Sequence, residues 1–410
     1  MAAPTVRPIR DDEVREFLGV QRTAMLYPPP TDRDLELREA LYSEQRCIAS
    51  VLDGRIVGTT RCFPTDLTVP GGAIPAAAVS SVGVLPTHRR QGHLTRLMHR
   101  QLGDTVDRGE KAAMLVSAEW PIYGRYGYGV ATEACVVRLD TRAAAFIHPA
   151  TGTPDLVDPK AYREVLAEVY PRAAARIPGH MSWADGFYEM WAGEREIYDG
   201  QADEQRKETR VVWRDDDGVA RGAATYTVKE HWVDNRPRGT ANVDQLLATD
   251  DEAERELYRF LTAVDWVATA EVQLRPVDDP LPLGLVDGRT AVLADRSDHI
   301  WLRLLDVAAA LSARTYACDG SLVVEVVDPL GFAAGRFALD ASPEGGTCLP
   351  TDLSPDLTVP VGVLSAAYLG GQGFGRLAAA GLVDEHTPGA AARATALFST
   401  PRAPYCSTPF

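Results

Sequence analysis

Residues 79–100, VSSVGVLPTHRRQGHLTRLMHR, carry Arg89, Arg90, Arg96 and Arg100 but no carboxylate, in a chain with 57 acidic against 42 basic side chains and a formal net charge of −15. A local cluster of cations in an acidic protein calls for a local anion. The apolar run through Val79, Val82 and Val84 reads as a strand that stops at Pro86, and Leu94, Leu97, Met98, Leu102 and Val106 then recur at helical spacing as a buried stripe. Arg89-Arg90-Gln91-Gly92 therefore falls at a helix N-terminus, where unpaired backbone N–H groups and the positive end of the macrodipole favour an anion. Gly92 lets the backbone approach a ligand, and the two arginines add charge-assisted bonds to phosphate oxygens. The pattern predicts a diphosphate site. A solvated basic turn before a surface helix is the competing interpretation of these residues taken alone.

Other reactive residue types form weaker patterns. His88, His93 and His99 are close in sequence, but 93 and 99 fall on different helix faces and no acid stands beside them, so no metal site is expected. The six cysteines, at 47, 62, 135, 318, 348 and 406, lack CxxC or CxxH spacing and are expected as reduced, mostly buried thiols. Trp183, Trp191 and Trp213 are assigned to the core of the middle segment or a domain interface.

The elements that must position the basic loop alternate between strands and helices. Asp53-Gly54 between residues 47–52 and 55–63 is a hairpin signal, since both turn positions favour φ > 0. The strand and helix around the loop follow, then a short buried strand over 112–118, which gives a mixed α/β sheet. The pattern returns weakly: DGRIVGTTR (53–61) has a counterpart in DGVARGAAT (217–225), and VGVL (82–85) in VDQLL (243–247), each leading into an amphipathic helix. In the second copy the joining residues are ATDDEAE, with four carboxylates and no glycine, so only the first copy suits an anion. Beyond about residue 297 an apolar helix is expected over 300–316, followed by strands and an alanine-rich helix. The boundaries divide the chain into 1–144, 145–296 and 297–410, the last an α+β unit.

Bulk composition narrows the function. The acidic balance argues against nucleic acid as a partner, while permitting a cationic substrate. No charged-then-apolar leader opens the sequence and no apolar run nears the ~18 residues of a membrane span, so a cytoplasmic protein without a membrane partner is expected.

The form V-x-V-x-P-x-x-R-R-x-G, from Val82 to Gly92, strongly resembles the coenzyme A pyrophosphate loop of GCN5-related N-acetyltransferases (GNAT). With PIYGRYGYG at 121–129, it is similar to the enhanced intracellular survival (Eis) acetyltransferases of actinobacteria; Leu94 stands where most of the superfamily has Gly or Ala. The resemblance spans essentially the whole chain. It implies a catalytic GNAT domain (1–144), a degenerate GNAT domain (145–296) and a sterol-carrier-like domain (297–410) whose C-terminus completes the active site. It further implies acetyl-CoA as cosubstrate, no metal, a small amine acceptor and a homohexamer.

Acetyl transfer from a thioester to an amine needs a neutral amine, a stabilised oxyanion and a proton for the departing thiolate. The resemblance places the proton donor at Tyr123 and the base at the terminal carboxylate of Phe410. It puts the pantetheine arm and acetyl carbonyl on Val82, Gly83 and Val84. The pyrophosphate falls to Arg89, Arg90, Gln91, Gly92, His93 and Leu94, with Arg125 nearby. Aminoglycoside-like polyamines are the acceptors it implies, although Thr23 and Pro409 replace acids of the aminoglycoside-modifying relatives. A lysine or small-polyamine acetyltransferase is the alternative of the same class. A non-enzymatic acyl-CoA or apolar-ligand binding protein is the alternative of another.

Overall fold

The computed structural model describes residues 4–38 and 46–410. The chain begins with β1 (Thr5–Pro8), α1 (Val14–Ala24), α2 (Asp32–Arg38), β2 (Cys47–Leu52), β3 (Arg55–Val69) and β4 (Gly72–Val84). It continues through α3 (His93–Asp107), β5 (Ala112–Val116), β6 (Gly129–Val130) and β7 (Glu133–Asp140). Asp53 and Gly54 both take positive φ at the β2–β3 turn, as the hairpin signal requires. In α3, Leu97, Met98 and Leu102 are buried, whereas Leu94 is half-buried and Val106 is 41% exposed. The buried face is turned toward Gln101 and Thr105, which can be buried because Gln101 Nε2 donates to Thr105 Oγ1 at 2.8 Å.

The second run holds β8 (Thr153–Leu156), α4 (Pro159–Arg176), α5 (Asp185–Ala192), α6 (Gln201–Gln205), β9 (Thr209–Arg214) and β10 (Ala220–Lys229). A small ribbon of β11 (Trp232–Val233) and β12 (Arg236–Pro237) precedes β13 (Gly239–Ala248), α7 (Asp251–Thr262), β14 (Val267–Arg275) and β15 (Ala291–Asp298). The two large sheets repeat one plan. The first has the order β1-β2-β3-β4-β5, followed by β16 (Ile300–Leu304) and β6, and the second the order β15-β7-β14-β13-β10-β9-β8. In each, the only parallel pair among the described residues, β4 with β5 and β13 with β14, flanks the crossover helix.

The two sheets exchange strands: β7, before residue 144, lies between β14 and β15, and β16, after residue 296, lies between β5 and β6. Sheet membership thus departs from the segment boundaries at 144 and 296. The helix expected over 300–316 is corrected to β16 followed by the short α8 (Val307–Ser312). All of Ile300–Leu304 is buried, Arg303 included, because an interior strand covered on both faces shows no alternation of exposed and buried positions to distinguish it from a buried helix.

The last part adds β17 (Gly320–Val327), β18 (Gly335–Ser342), β19 (Gly345–Pro350), β20 (Leu357–Pro360), α9 (Val361–Ala367), α10 (Phe374–Ala379), β21 (Asp384–Glu385) and α11 (Ala390–Phe398). Its five strands run β19-β18-β17-β20-β21. Arg303 of β16, fully buried, ties this unit to the first: its guanidinium donates to Asp328 at 2.6 Å and to the carbonyls of Leu304 and Tyr126.

Candidate active site

The parallel pairing of β4 with β5 covers only Ala76–Ala78 against Ala112–Met114. Beyond it, β5 stays paired with β16 and β4 with β3, so the two strands part and the backbone edge of β4 from Val79 to Val84 faces a gap. A bulge helps them separate: the β3–β4 register shifts between Thr59 and Arg61, and Ser81 takes φ 56°. Val82, Gly83 and Val84 are half-buried along this edge. A strand edge with free N–H and C=O groups can hold an extended amide chain, which is the chemistry of a pantetheine arm. A Cβ on Gly83 would lie 2.7 Å from the Ala24 Cβ of α1, so close packing on the other side requires glycine there.

The edge leads through a short turn at Pro86–His88 to the N-terminus of α3. Arg90 (φ 61°) and Gly92 (φ 82°) both take left-handed conformations, and no side chain caps the helix. The positive φ of Gly92 is what calls for glycine, since the one atom a Cβ would crowd, Arg96 Nη1 at 2.9 Å, is the tip of an exposed side chain that can swing away. Arg89, Arg90, Gln91 and Arg96 are exposed. Among the described residues Arg100 meets Asp104 at 2.6 Å, whereas Arg89, Arg90 and Arg96 meet no carboxylate. Arg89 reaches only the Ala24 carbonyl at 3.4 Å, and Gln91 Nε2 the Thr87 carbonyl at 3.3 Å. These residues fit a diphosphate. His93 differs from its neighbours: its ring is buried, with Nδ1 2.8 Å from Ser50 Oγ, and burial lowers its pKa. Its backbone N–H, not its imidazole, is what the first helical turn offers an anion.

Tyr123 is 8% exposed and packs in the apolar cluster that includes Val82, Leu94, Met98 and Ile122. Burial pushes its phenol up to about 12, so it keeps its proton at neutral pH. A short helical turn, Gly124–Tyr126, follows it, with Tyr126 and Tyr128 N–H donating to the Tyr123 carbonyl. Tyr126 OH lies 3.2 Å from Thr95 Oγ1 of α3, and the Tyr126 carbonyl accepts from Arg303. The loop is thereby held from both sides. Tyr128 is also buried, its hydroxyl without a partner among the described residues. Arg125 is exposed and donates to the Pro121 carbonyl at 3.1 Å.

Phe410 lies on the opposite face of the first sheet. Cys62 packs in the Tyr123 cluster, while its β3 neighbour Phe63 points the other way and meets the Phe410 ring edge-on at 5.9 Å. Residues 404–408 are buried, Pro409 is exposed and Phe410 is half-buried, so the chain end is docked. Thr23, exposed, donates its hydroxyl to the Gly19 carbonyl of its own helix.

The second copy is closed at the matching places. Parallel pairing of β13 with β14 ends at Val243, and Arg275 fills the widening: it donates to the Leu246 carbonyl at 3.1 Å, to Asp279 at 2.9 Å and to Glu254. At the α7 N-terminus the Asp250 side chain accepts from Ala253 N–H, and Arg221 holds Asp250 at 2.8 Å. A carboxylate already occupies the place of an anion. Two of the three middle-segment tryptophans are core or interface: Trp213 is 1% exposed, and Trp183, 8% exposed, stacks on Tyr170 at 3.5 Å and donates to Thr408, whereas Trp191, 6.1 Å from Trp183, is half-buried and also lines a cavity.

Sequence spacing gave no sign of a cavity of about 310 Å³ lined by Glu204, Glu208, Asp244, Trp191, Tyr198 and Pro409, among others. Its acids come from α6, from the loop before β9 and from β13. Burial raises the pKa of Asp244 and pushes Glu208 up to about 7. The Trp191 indole N–H has no partner among the described residues. No group of three or more His, Cys, Asp or Glu placed to hold a metal occurs among those residues, and no helix among them is long and apolar enough to cross a membrane.

Acetyltransferase (GNAT) domain families match residues 5–131 and 179–304, and a sterol carrier protein domain family matches residues 307–407. An N-acetyltransferase of Streptomyces avermitilis is 37% identical over 99% of this chain and 98% of its own. The N-acetyltransferase Eis of Mycobacterium tuberculosis is 33% identical over 79% of this chain and 78% of its own. Among solved structures, Eis1 of Mycobacterium abscessus matches 99% of this chain and 100% of its own, at 36% identity and a TM-score of 0.86.

Proposed function

Because the chain belongs to the Eis family of GCN5-related N-acetyltransferases, we propose that it acetylates an amino group of a polycationic, hydroxylated amine of the aminoglycoside type, at one site in the first sheet. The open edge of β4 leading into the uncapped α3 N-terminus is the observation that carries the location. Acetyl-CoA supplies the activated acetyl group and takes away the thiolate. The backbone of Val82, Gly83 and Val84 holds its amide arm, while Arg89, Arg90, the N–H groups of Gly92 to Leu94 and Arg125 hold its phosphates. Tyr123 provides a proton to the sulfur. The Phe410 carboxylate, whose ordinary pKa near 3.5 leaves it ionised, orients the amine and takes its proton, directly or through water.

The acceptor class rests on the acidic cavity. It adjoins Pro409, one residue from the terminal carboxylate, and Glu204, Glu208 and Asp244 supply there the negative charge that Thr23 and Pro409 do not. An indole N–H can only donate, so Trp191 favours a ligand bearing hydroxyl oxygens over a plain alkyl polyamine. As the family resemblance implies, we further propose a cytoplasmic homohexamer, which light scattering would reveal. Thiol release from acetyl-CoA, measured across aminoglycosides, spermidine and lysine peptides, tests the acceptor. Aminoglycosides should turn over fastest, and turnover confined to lysine peptides would overturn the assignment.

A further inference from the structure

The terminal carboxylate can act only if something holds it in place, and the last residue of the tail with buried polar anchors is Thr408, fully buried. Tyr170 OH donates to the Met181 carbonyl at 2.6 Å, which commits its proton. The Thr408 hydroxyl, 3.3 Å from Tyr170 OH, must then donate to it, while accepting from Trp183 Nε1 at 2.8 Å. A directed chain results: indole N–H to Thr408, Thr408 to Tyr170, Tyr170 to backbone. Its two rings are stacked 3.5 Å apart at 12°, so they cannot turn independently.

Between this anchor and the carboxylate lies only Pro409. The pyrrolidine ring fixes φ of Pro409, and the residue before a proline is confined to extended conformations, so Thr408 is restricted too. The arm is therefore short and stiff, at most about 7 Å for two residues. Its far end rests on Phe63 through the Phe410 ring. We propose that Thr408, gripped by Trp183, is the positioning residue for the terminal carboxylate, with Pro409 as a rigid spacer. This rests on the catalytic role proposed above for the Phe410 carboxylate.

The test compares Thr408→Val, Thr408→Ser and Trp183→Phe in the full chain, with a variant carrying a few residues beyond Phe410. Valine removes both hydrogen bonds at nearly constant shape, serine restores them, and phenylalanine keeps the stack but removes the indole N–H. Thr408→Val and Trp183→Phe are each expected to lower kcat at least about 10-fold, given that a misplacement of 1 Å can cost about 100-fold. Their double variant should lose no more than either single one, and acetyl-CoA affinity by calorimetry should stay unchanged. Thr408→Ser should retain kcat within about threefold of the parent. The proposal is overturned if Thr408→Val keeps full kcat while the extended chain is inactive. It is equally overturned if serine fails to rescue, or if coenzyme affinity falls in step with kcat, since either marks a purely structural role. Should valine prevent folding, Trp183→Phe decides by the same criteria. Full activity in the extended chain, with its added residues shown intact by mass spectrometry, instead overturns the role of the carboxylate itself.

Discussion

Tyr123 and the two exposed arginines do separable work, and single substitutions distinguish them. Tyr123→Phe keeps the ring in its apolar cluster and removes the only acidic proton it carries. It is expected to lower kcat by about 10²- to 10⁴-fold, with coenzyme affinity nearly intact. Because burial holds the phenol at about 12, Tyr123 stays protonated as pH rises, and no loss of kcat below about pH 11 should trace to its ionisation. A basic limb near pH 9 that survives in Tyr123→Phe would fit this; one that disappears would not. Arg89→Ala with Arg90→Ala should weaken acetyl-CoA binding by about 2 to 5 kcal/mol, from two charged hydrogen bonds of about 1.5 to 3 kcal/mol each, discounted for exposure. Calorimetry reads this directly. Their exposure, with no carboxylate neighbour among the described residues, means that little of the effect should appear in thermal stability.

At the scale of elements, α3 and α7 are one design with opposite electrostatics. In α3 the N-terminus is left uncapped behind a left-handed glycine, whereas in α7 Asp250 caps the helix and Arg221 neutralises the cap. Asp250→Ala should therefore cost about 0.5 to 2 kcal/mol of stability, the worth of a helix cap, without altering coenzyme affinity. Thermal melting and calorimetry check the two halves. The strand β16 is the other decisive element, because Arg303 on it supports both the tyrosine loop and the third unit through a pair that is fully buried. Arg303→Met leaves Asp328 buried without its cation and should destabilise by about 3 to 5 kcal/mol. Chemical denaturation measures it. A loss under 1 kcal/mol would mean that Asp328 finds water or another donor.

For the whole molecule, the splayed first sheet and the filled second one predict one acetyl-CoA per chain by calorimetry, against two if both copies were competent. The acidic cavity adds a pH dependence. Glu208 lies near 7 because burial disfavours its anion by more than Arg210, 2.9 Å away, favours it, so in the free protein it holds a proton that it lacks when unfolded between about pH 4.5 and 7. Its contribution to stability is present at low pH and fades as pH rises through 7. A bound ammonium reverses the preference by stabilising the carboxylate. KM for a polycationic acceptor should therefore fall as pH rises from about 6 to 8, and Glu208→Gln should flatten that trend. A KM rising with pH over this interval would remove Glu208 from the acceptor site.

Residues 79–100 announced their own structure, because strand, proline, basic turn and helical stripe follow one another within reach of local rules. The hairpin at Asp53-Gly54 and the contrast between the two strand-to-helix joints were legible for the same reason: turn chemistry and capping act over a few residues. The resemblance to the Eis acetyltransferases was carried by similarly local motifs. What lay outside such rules was decided by contacts between distant parts of the chain. The fate of Ile300–Leu304 depends on β5 and β6, which pair along both its edges and make it an interior strand, buried throughout and so without the alternation that would have marked it as a strand. His93 reads as a loop-side ligand until β2 places Ser50 beside its ring. Glu204, Glu208 and Asp244 are unremarkable acids in an acidic sequence, and become a cavity only when α6, the loop before β9 and β13 meet beside Pro409. Thr408 carries no signal at all in the tail after α11; its importance comes from Trp183 and Tyr170, more than 200 residues earlier. Local chemistry determined which residues could bind or react, and long-range packing decided which of them are held where that chemistry can be used.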